Sequence, residues 1–176
     1  MKSLILMFPL LTLSLSSWAD CELTSSQQSV SYGRVSAAER QLAKENALNL
    51  PEKKIVINVL CDEPKRIRLM IGSVLPGSEN FLLGDGGEMK VFASDALLDD
   101  RPVRIAAIQH GEAMPASTGQ ERQQVTLNQG LAFINGTEAR GKTASVTLTV
   151  QSQLKPKTIT ERTTWRGNLN ITLETQ

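Results

Sequence analysis

The sequence is poor in the residue types on which most enzyme chemistry depends. Its 176 residues include one histidine, His110, and two cysteines, Cys21 and Cys61. No G-x-S-x-G, H-E-x-x-H, P-loop or CxxC motif occurs, so the common nucleophilic, zinc-dependent and phosphate-binding sites have no support in the sequence. His110 lies between Gln109 and Gly111 and is expected in a solvated loop. We therefore expect no enzymatic activity, no catalytic residue and no cofactor.

Metal ligands are equally sparse. The possible soft ligands for copper are Met70, Met89, Met114 and His110. These residues are scattered along the chain rather than clustered, and a single histidine is too few for the usual zinc sites. The acidic pair Asp99-Asp100 is expected at a turn, where Asp is favoured for backbone reasons alone. We predict no metal site.

Charge of one sign is not concentrated anywhere. The chain has 19 Lys and Arg residues and 18 Asp and Glu residues. Without Lys2, which falls in the leader described next, 18 basic side chains face 18 acidic ones. The basic side chains form no stripe, so we expect no nucleic-acid partner and no binding to an anionic membrane surface.

A long hydrophobic run occurs only within the first 19 residues. Lys2 precedes an apolar stretch over 4–15, and the triplet Ser17-Trp18-Ala19 has the small-x-small pattern of a cleavage site. This layout is typical of a secretory signal peptide, and the stretch is shorter than the roughly 20 residues that span a bilayer. We predict a signal peptide over 1–19 and a single exported domain over 20–176.

Export bears on the two cysteines. In an oxidising compartment, a lone pair of cysteines in a small domain is most simply a disulfide. We therefore predict a Cys21–Cys61 bridge. On the chain-entropy account, closing a loop of this size stabilises the fold by about 4 kcal/mol.

The dominant hydrophobic period is two. It is strongest in four segments, 54–61, 66–71, 144–151 and 168–175, and weaker in five others, 29–35, 88–93, 103–108, 124–127 and 132–134. Alternation of this kind predicts antiparallel strands with one buried face. Turn residues separate the segments at Pro76-Gly77, Asp85-Gly86-Gly87, Asn135-Gly136, Pro156 and Arg166-Gly167.

Many short strands without alternating helices favour an all-β fold of the β-sandwich type. One segment differs. Ser36 and Glu39 have capping-box spacing, and 37–48 is rich in helix-forming residues before Pro51. This segment is predicted to be a short surface helix or a loop that crosses between sheets.

The two ends of the chain carry a resemblance to a known family. One is Cys21 to Val35, which includes Tyr32-Gly33; it is followed by Ile55-Val-Ile-Asn-Val-Leu-Cys61-Asp62. The other is the closing segment 167–176, Gly-Asn-Leu-Asn-Ile-Thr-Leu-Glu-Thr-Gln. Together these segments resemble the first and last strands of chaperone-usher fimbrial (pilus) subunits. The middle of the chain, 72–142, matches poorly.

The resemblance implies an immunoglobulin-like β-sandwich that is incomplete, with an acceptor groove where a further strand would lie. A periplasmic pilus chaperone would fill the groove first. A neighbouring fimbrial subunit would fill it later, when the protein reaches an outer-membrane usher. The protein would pass through the periplasm to a fimbrium at the cell surface and contribute to cell adhesion. The groove residues implied by position are Val30, Tyr32, Leu169, Ile171 and Leu173, which could equally be ordinary core residues.

The sequence departs from this family in one respect. Only Asp20 stands between the predicted cleavage site and Cys21, whereas a typical subunit has a donor strand of about ten residues there. The expected subunit accepts a strand without donating one, which suggests a terminal or tip position. The alternative is a self-complete periplasmic β-sandwich, a binding or accessory protein that does not polymerise.

Overall fold

The fold is described from a computed structural model over residues 21–27, 30–34, 36–42, 46–73, 80–84, 86–155 and 164–176. Within these ranges there is one six-residue helix, α1 (Ala37–Leu42). The strands are β1 (Cys21–Ser25), β2 (Val30–Arg34), β3 (Leu48–Asn49), β4 (Lys53–Gly72), β5 (Phe81–Leu83), β6 (Gly87–Leu98), β7 (Arg101–Pro102), β8 (Arg104–Gln109), β9 (Gln123–Val125), β10 (Gln129–Asn135), β11 (Thr137–Glu138), β12 (Arg140–Leu154), β13 (Thr164–Gly167) and β14 (Asn170–Thr175).

Strand β4 organises the fold because it belongs to two ladders. Its first half pairs with β1 on one side and β12 on the other, and β12 continues the sheet to β6. Its second half pairs with β14 on one side and β10 on the other, and β10 continues to β8. All of these pairings are antiparallel. The sheet is curled, because β4 passes from the first set of strands to the second. The predicted all-β fold is confirmed.

Both halves of the curled sheet contribute to one core. Alternate residues of β4, β6 and β12 point inward, as the period of two predicted. The buried inward residues are Ile55, Ile57, Val59, Ile67, Leu69, Ile71, Val91, Val146, Leu148 and Val150. They belong to a single hydrophobic cluster with Leu131 and Phe133 from β10. Two layers around a shared core are consistent with the predicted β-sandwich.

The predicted disulfide is confirmed. Cys21 and Cys61 lie directly opposite each other in the β1–β4 ladder and are bonded, with a Cα–Cα distance of 4.1 Å. The bridge joins residues 40 positions apart and fixes β1 against the first half of β4.

Several local predictions are also confirmed. Asn135 and Thr137 pair across Gly136, as expected for a turn. Leu98 and Arg101 pair across Asp99-Asp100, and both aspartates have positive φ, as a two-residue hairpin requires. The strands β5 and β6 form the predicted hairpin around 84–86. Pro76-Gly77 and Pro156 lie outside the described residues.

Asp99 also fastens this hairpin to β12. Its Oδ1 accepts hydrogen bonds from the backbone N–H groups of Thr143 at 2.9 Å and Lys142 at 2.8 Å. These bonds favour the ionised carboxylate and lower the pKa of Asp99. They lie beside the register shift between Gly141 and Thr143 in the β4–β12 ladder. The aspartate therefore has a structural role, as the sequence predicted.

Two local predictions need correction. In the described residues the helix covers Ala37–Leu42, and Leu48, which was predicted to belong to it, pairs with Leu154 in a short strand instead. The predicted capping box is present, with Ser36 N donating to Glu39 and Glu39 N donating to Ser36 Oγ. Arg166-Gly167 is not a turn but the end of β13. No helix in the described ranges has the length and hydrophobicity needed to cross a membrane.

Candidate strand-acceptor site

The first and last strands lie along the same side of β4. Residues 57–60 of β4 pair with both β1 and β12, and residues 68–71 pair with both β14 and β10. Strands β10 and β12 follow each other along one side of β4, because Ala132 pairs with Arg68 and Arg140 pairs with Arg66. Strands β1 and β14 therefore lie along the other side. Among the described residues β4 is the only partner strand of either. The backbone of 22–25 and 170–175 therefore presents an outer edge.

A cavity of about 270 Å³ opens between these two strands. One wall consists of Leu23, Ser25 and Gln27, and the other consists of 167–171. Three core side chains reach its floor, namely Ile55, Met89 and Val150; these side chains are at most 5% exposed. The cavity thus joins an apolar floor to two strand edges, a combination that suits an extended segment of chain.

The structure brings part of the predicted groove together. Leu169 and Ile171 line the cavity. Leu173, two residues further along β14, pairs with Leu69 and packs against the core. All three side chains are half-buried, which leaves part of each accessible at the edge. These residues of the closing segment share one face of the strand, as the alternation predicted.

The other predicted groove residues lie on β2, which reaches one end of this cavity through its pairing with Gly167. Val30 pairs with Gly167 through the backbone, and its side chain is outside the described set. Tyr32 is half-buried against the core, and its hydroxyl accepts a 2.7 Å hydrogen bond from Ser152 Oγ. Burial raises the pKa of this phenol. Tyr32 therefore anchors β2 to β12 and does not line the cavity.

Strand β2 is held by β13. Arg34 pairs with Thr164 and Ser31 with Arg166, and Gly167 pairs with both Val30 and Leu83. A Cβ at Gly167 would overlap the thioether of Met89, so glycine lets β13 lie close to that side chain. Strands β2 and β13 thus pair with each other at one end of the cavity. The cavity remains open along β1 and β14.

A buried ion pair is the main feature that the sequence did not predict. The Arg68 Nε donates to Glu138 Oε1 at 2.6 Å and the Nη2 to Oε2 at 2.7 Å; both side chains are at most 2% exposed. The guanidinium also donates to the backbone oxygens of Glu112 and Ala113. Its hydrogen bond to Glu138 raises the pKa of Arg68. The pair therefore holds the loop after β8 on the sheet.

A signal for this burial exists in the sequence. In residues 67–71, Ile-Arg-Leu-Met-Ile, the apolar Met70 interrupts the alternation of apolar and polar residues, and all five residues are buried. Met70 belongs to a second apolar cluster, with Ala106, Ile108, Ala132 and Ile134. A strand covered on both faces is expected to show such a continuous run. The alternation alone places Arg68 on a solvent-exposed face of β4. The loop after β8 covers that face, and this loop is distant from Arg68 in sequence.

The remaining titratable groups do not assemble a reaction centre in the part of the chain described. His110 lies in the turn after β8, is 82% exposed, and contacts Glu174 of β14 with an Nδ1–Oε1 distance of 2.5 Å. No group of three His, Cys, Asp or Glu side chains in the described ranges could hold a metal ion. Met70 and Met89 are core residues in different clusters, and Met114 is exposed.

Comparison with known proteins gives one informative similarity. No family model matches the chain. The chain is similar to YhcE, an uncharacterized protein of Escherichia coli (strain K12). The two are 30% identical over 179 residues, and the alignment covers 99% of each chain. That name states no function, so a functional argument has to start from the chain's own geometry.

Proposed function

Since the chain belongs to the same family as YhcE, a family without a stated function, we propose a function from the cavity between β1 and β14. The protein is an exported structural subunit of a chaperone-usher fimbria that accepts an extended strand from a partner. In this proposal the fold is an incomplete immunoglobulin-like sandwich, and the partner strand supplies what is missing. The protein itself is not an enzyme and needs no cofactor.

The observation that supports this most directly is the pair of strand edges over an apolar floor. The outward N–H and C=O groups along 170–175, which have no strand partner among the described residues, can bond a new strand. The floor of Ile55, Met89 and Val150 can take its alternate apolar side chains. Leu169 and Ile171 would then contact the added strand from one side and Leu23 from the other.

The proposed partners come from the family resemblance at the two ends of the chain. The strand would come from a periplasmic pilus chaperone during export and from a neighbouring fimbrial subunit after passage through an outer-membrane usher. The site of action would be a fimbrium at the cell surface, where the subunit contributes to adhesion. The disulfide is consistent with this oxidising route.

The decisive experiment measures strand binding. The exported chain, produced with its cognate chaperone, should form a one-to-one complex. A synthetic peptide with alternating apolar residues should displace the chaperone. At a peptide concentration 100 times its Kd, binding should stabilise the protein by about 2.7 kcal/mol, which raises Tm by roughly 5–10 °C.

Matched substitutions test where the strand binds. Ile171→Asp places a charge on the cavity wall and should weaken binding by at least tenfold. Thr172→Asp places the same charge on the opposite, exposed face of β14 and should leave binding unchanged. Peptide binding that is equal in the two variants, or absent from the natural sequence, would contradict the proposal.

The pairing of β2 with β13 favours a second candidate. Because these strands bond directly, the chain could also be a self-complete periplasmic β-sandwich with a binding or accessory role that does not polymerise. In that case the exported chain, expressed without a chaperone, would be monomeric and cooperatively folded and would bind neither chaperone nor peptide.

A further inference from the structure

The sheet that contains β1, the first half of β4, β12 and β6 has one side that faces away from the core. We call this side the outer face; it consists of the outward side chains within 22–24, 54–60, 92–97 and 143–149. Side chains alternate between the two sides of a strand, so these residues point away from buried core residues such as Ile57. The outer face is therefore separate from the strand-acceptor cavity, whose floor belongs to the core.

Two large apolar side chains are exposed on the outer face. Val56 is 37% exposed and Leu60 is 59% exposed, and they lie four residues apart on the same side of β4. In the described part of the chain, the only other exposed large apolar side chain is Met114 in the loop after β8. The residues opposite Val56 and Leu60 on β12 are Thr147 and Thr143. The middle of the outer face can therefore leave water without burying an unpaired charge.

One end of the outer face is acidic. Glu22 of β1 lies directly opposite Leu60. A shallow depression of about 350 Å³ beside these two residues is also bordered by Leu97 and Asp100. Both carboxylates are exposed, and neither forms a salt bridge with a residue that the structure describes. They are free to meet a cation from outside the chain.

The other end of the outer face is basic. Lys54 of β4 and Phe92 of β6 lie on either side of β12 at the same level of the sheet. The guanidinium of Arg122 lies 4.4 Å from the centre of the Phe92 ring, a contact that holds this cation over the aromatic face. Farther along the strands, Glu52 and Lys90 carry one charge of each sign and leave the difference between the two ends in place.

From this distribution we propose that the outer face binds the outer face of a second copy of this chain. The two-fold axis lies between the two faces, perpendicular to the strands, at the level of Ile57, which is halfway between Lys54 and Leu60. This rotation reverses the strand direction, so each strand lies along the same strand of the second copy. The acidic end of one copy therefore lies on the basic end of the other.

The charged residues pair across this interface. Glu22 of one copy reaches the level at which Lys54 lies in the second copy. Asp100, on the β6 side of the face, reaches the level of Phe92 and its neighbour Arg122. Each contact occurs twice because the interface has two-fold symmetry. An axis parallel to the strands would instead place acidic end on acidic end, so the charges select the reversed orientation.

The exposed apolar side chains interleave along β4 in this arrangement. In the reversed copy, Leu60 falls at the level of Lys54, and Val56 falls at the level of Asn58. Leu60 and Val56 of one copy therefore alternate with those of the other. The aliphatic stem of Lys54 covers Leu60 while its ammonium group reaches Glu22. The same residues thus supply both the apolar contact and the charge pairing.

The size of the outer face limits the strength of the dimer. The face measures roughly 20 Å along the strands and 15 Å across them, so two copies would bury on the order of 800 Å² in total, less than the roughly 1,200 Å² of stable complexes. We expect a reversible dimer with a Kd of about 0.1 mM. This inference does not depend on strand acceptance, because the cavity between β1 and β14 opens on the other side of β1.

Sedimentation equilibrium of the full exported chain, with its strand partner bound if it needs one, tests this proposal. Between about 10 μM and 0.5 mM, the mass should rise toward twice that of the monomer and no further, because a two-fold interface is closed. Leu60→Asp should weaken the dimer about tenfold or more. Met114→Asp, the same change at an exposed apolar residue off the face, should have no effect. A chain that stays monomeric, or assembly that continues beyond two copies, overturns the proposal.

Charge reversal tests the orientation of the two copies. Glu22→Lys and Lys54→Glu should each weaken the dimer about tenfold, because each places like charges in both symmetric contacts. An equal mixture of the two variants should dimerise as well as the natural sequence, since a mixed pair has opposite charges in both contacts. Unchanged Tm values will show that the variants are folded. The proposal is overturned if neither reversal weakens the dimer or if the mixture does not restore it.

Discussion

Arg68 shows how a single buried charge can hold distant parts of this fold together. It lies on β4, pairs with Glu138 of β11, and donates to the backbone of the loop after β8. Four of its five N–H donors are satisfied within the protein. A charge in such a place is tolerated because the protein supplies its counter-charge and most of its hydrogen-bond partners.

Removing one partner should therefore be severe. We expect Glu138→Ala to destabilise the protein by about 3–5 kcal/mol, because Arg68 would remain buried without its counter-charge. The double variant Arg68→Met with Glu138→Leu should lose much less than Glu138→Ala. Urea denaturation measures both. Glu121→Gln, an exposed control, should change stability by no more than about 0.5 kcal/mol, and a similar small effect of Glu138→Ala would disprove the argument.

Gly167 lies at one end of the cavity between β1 and β14. Its added Cβ would meet the thioether of Met89, so Gly167→Ala should destabilise by about 1–3 kcal/mol through overpacking. A second change, Met89→Ala, should recover part of the loss if the clash is the cause. Gly72→Ala is the matched control, because its Cβ would meet nothing closer than 3.9 Å. Equal effects of the two glycine substitutions would contradict this account.

At the scale of elements, β1 depends on the disulfide. It has five residues and pairs only with β4 among the described strands, and its side chains are at most half-buried. The Cys21–Cys61 bond adds a covalent link to its five-residue ladder with β4 and to the packing of Leu23 against the core. The wall of the cavity that β1 supplies is therefore tied to the oxidised state.

We expect loss of the bridge to weaken both stability and strand binding. The Cys21→Ser, Cys61→Ser variant should lose about 4 kcal/mol of unfolding free energy, measured by denaturation with urea. Peptide affinity should also fall, because β1 no longer holds its wall in place. The control is the natural sequence treated with reductant, which should behave like the double variant. Unaltered stability in both samples would refute a structural role for the bond.

Strand β14 is the other exposed element. It pairs with β4 over six residues, from Asn170 opposite Gly72 to Thr175 opposite Ile67. Glu174 contacts His110, which joins this edge to the turn after β8. Since His110 is largely exposed, we interpret the contact as a surface interaction that orients the edge, and not as part of a reaction centre.

At the scale of the whole molecule, the centre of the sheet and its edges should differ in local stability. The ladders of β4, β12 and β6 surround the core, whereas the outer sides of 22–25 and 170–175 lack strand partners in the described structure. Hydrogen exchange should be slowest in the three central strands and fast at outward N–H groups of β14. A bound peptide should slow exchange in β14 and leave β8 unchanged. Uniform protection without peptide would argue for a self-complete fold.

Much of this fold is determined by patterns among residues that are close in sequence. Alternation at 54–61, 66–71 and 144–151 predicted the strands that dominate the sheet, and the cysteine pair in a chain predicted to be exported predicted the bridge. The Asp99-Asp100 and Asn135-Gly136 turns follow from backbone preference alone. The strands and turns depend on residues that are near one another in sequence, and the bridge follows from the presence of only two cysteines. The sequence by itself therefore determined the all-β fold, the disulfide and the face of β14 that meets the core.

The tertiary structure decided what depends on distant partners. The tertiary structure joins the two predicted strands on either side of Pro64 into one 20-residue strand. It also makes Leu48 a strand residue instead of a helical one. It also places Tyr32 against Ser152 and buries Arg68 beside Glu138. A strand's pattern shows which face is apolar but not which strands lie beside it. The cavity between β1 and β14 is therefore a property of the fold, because its walls come from opposite ends of the chain.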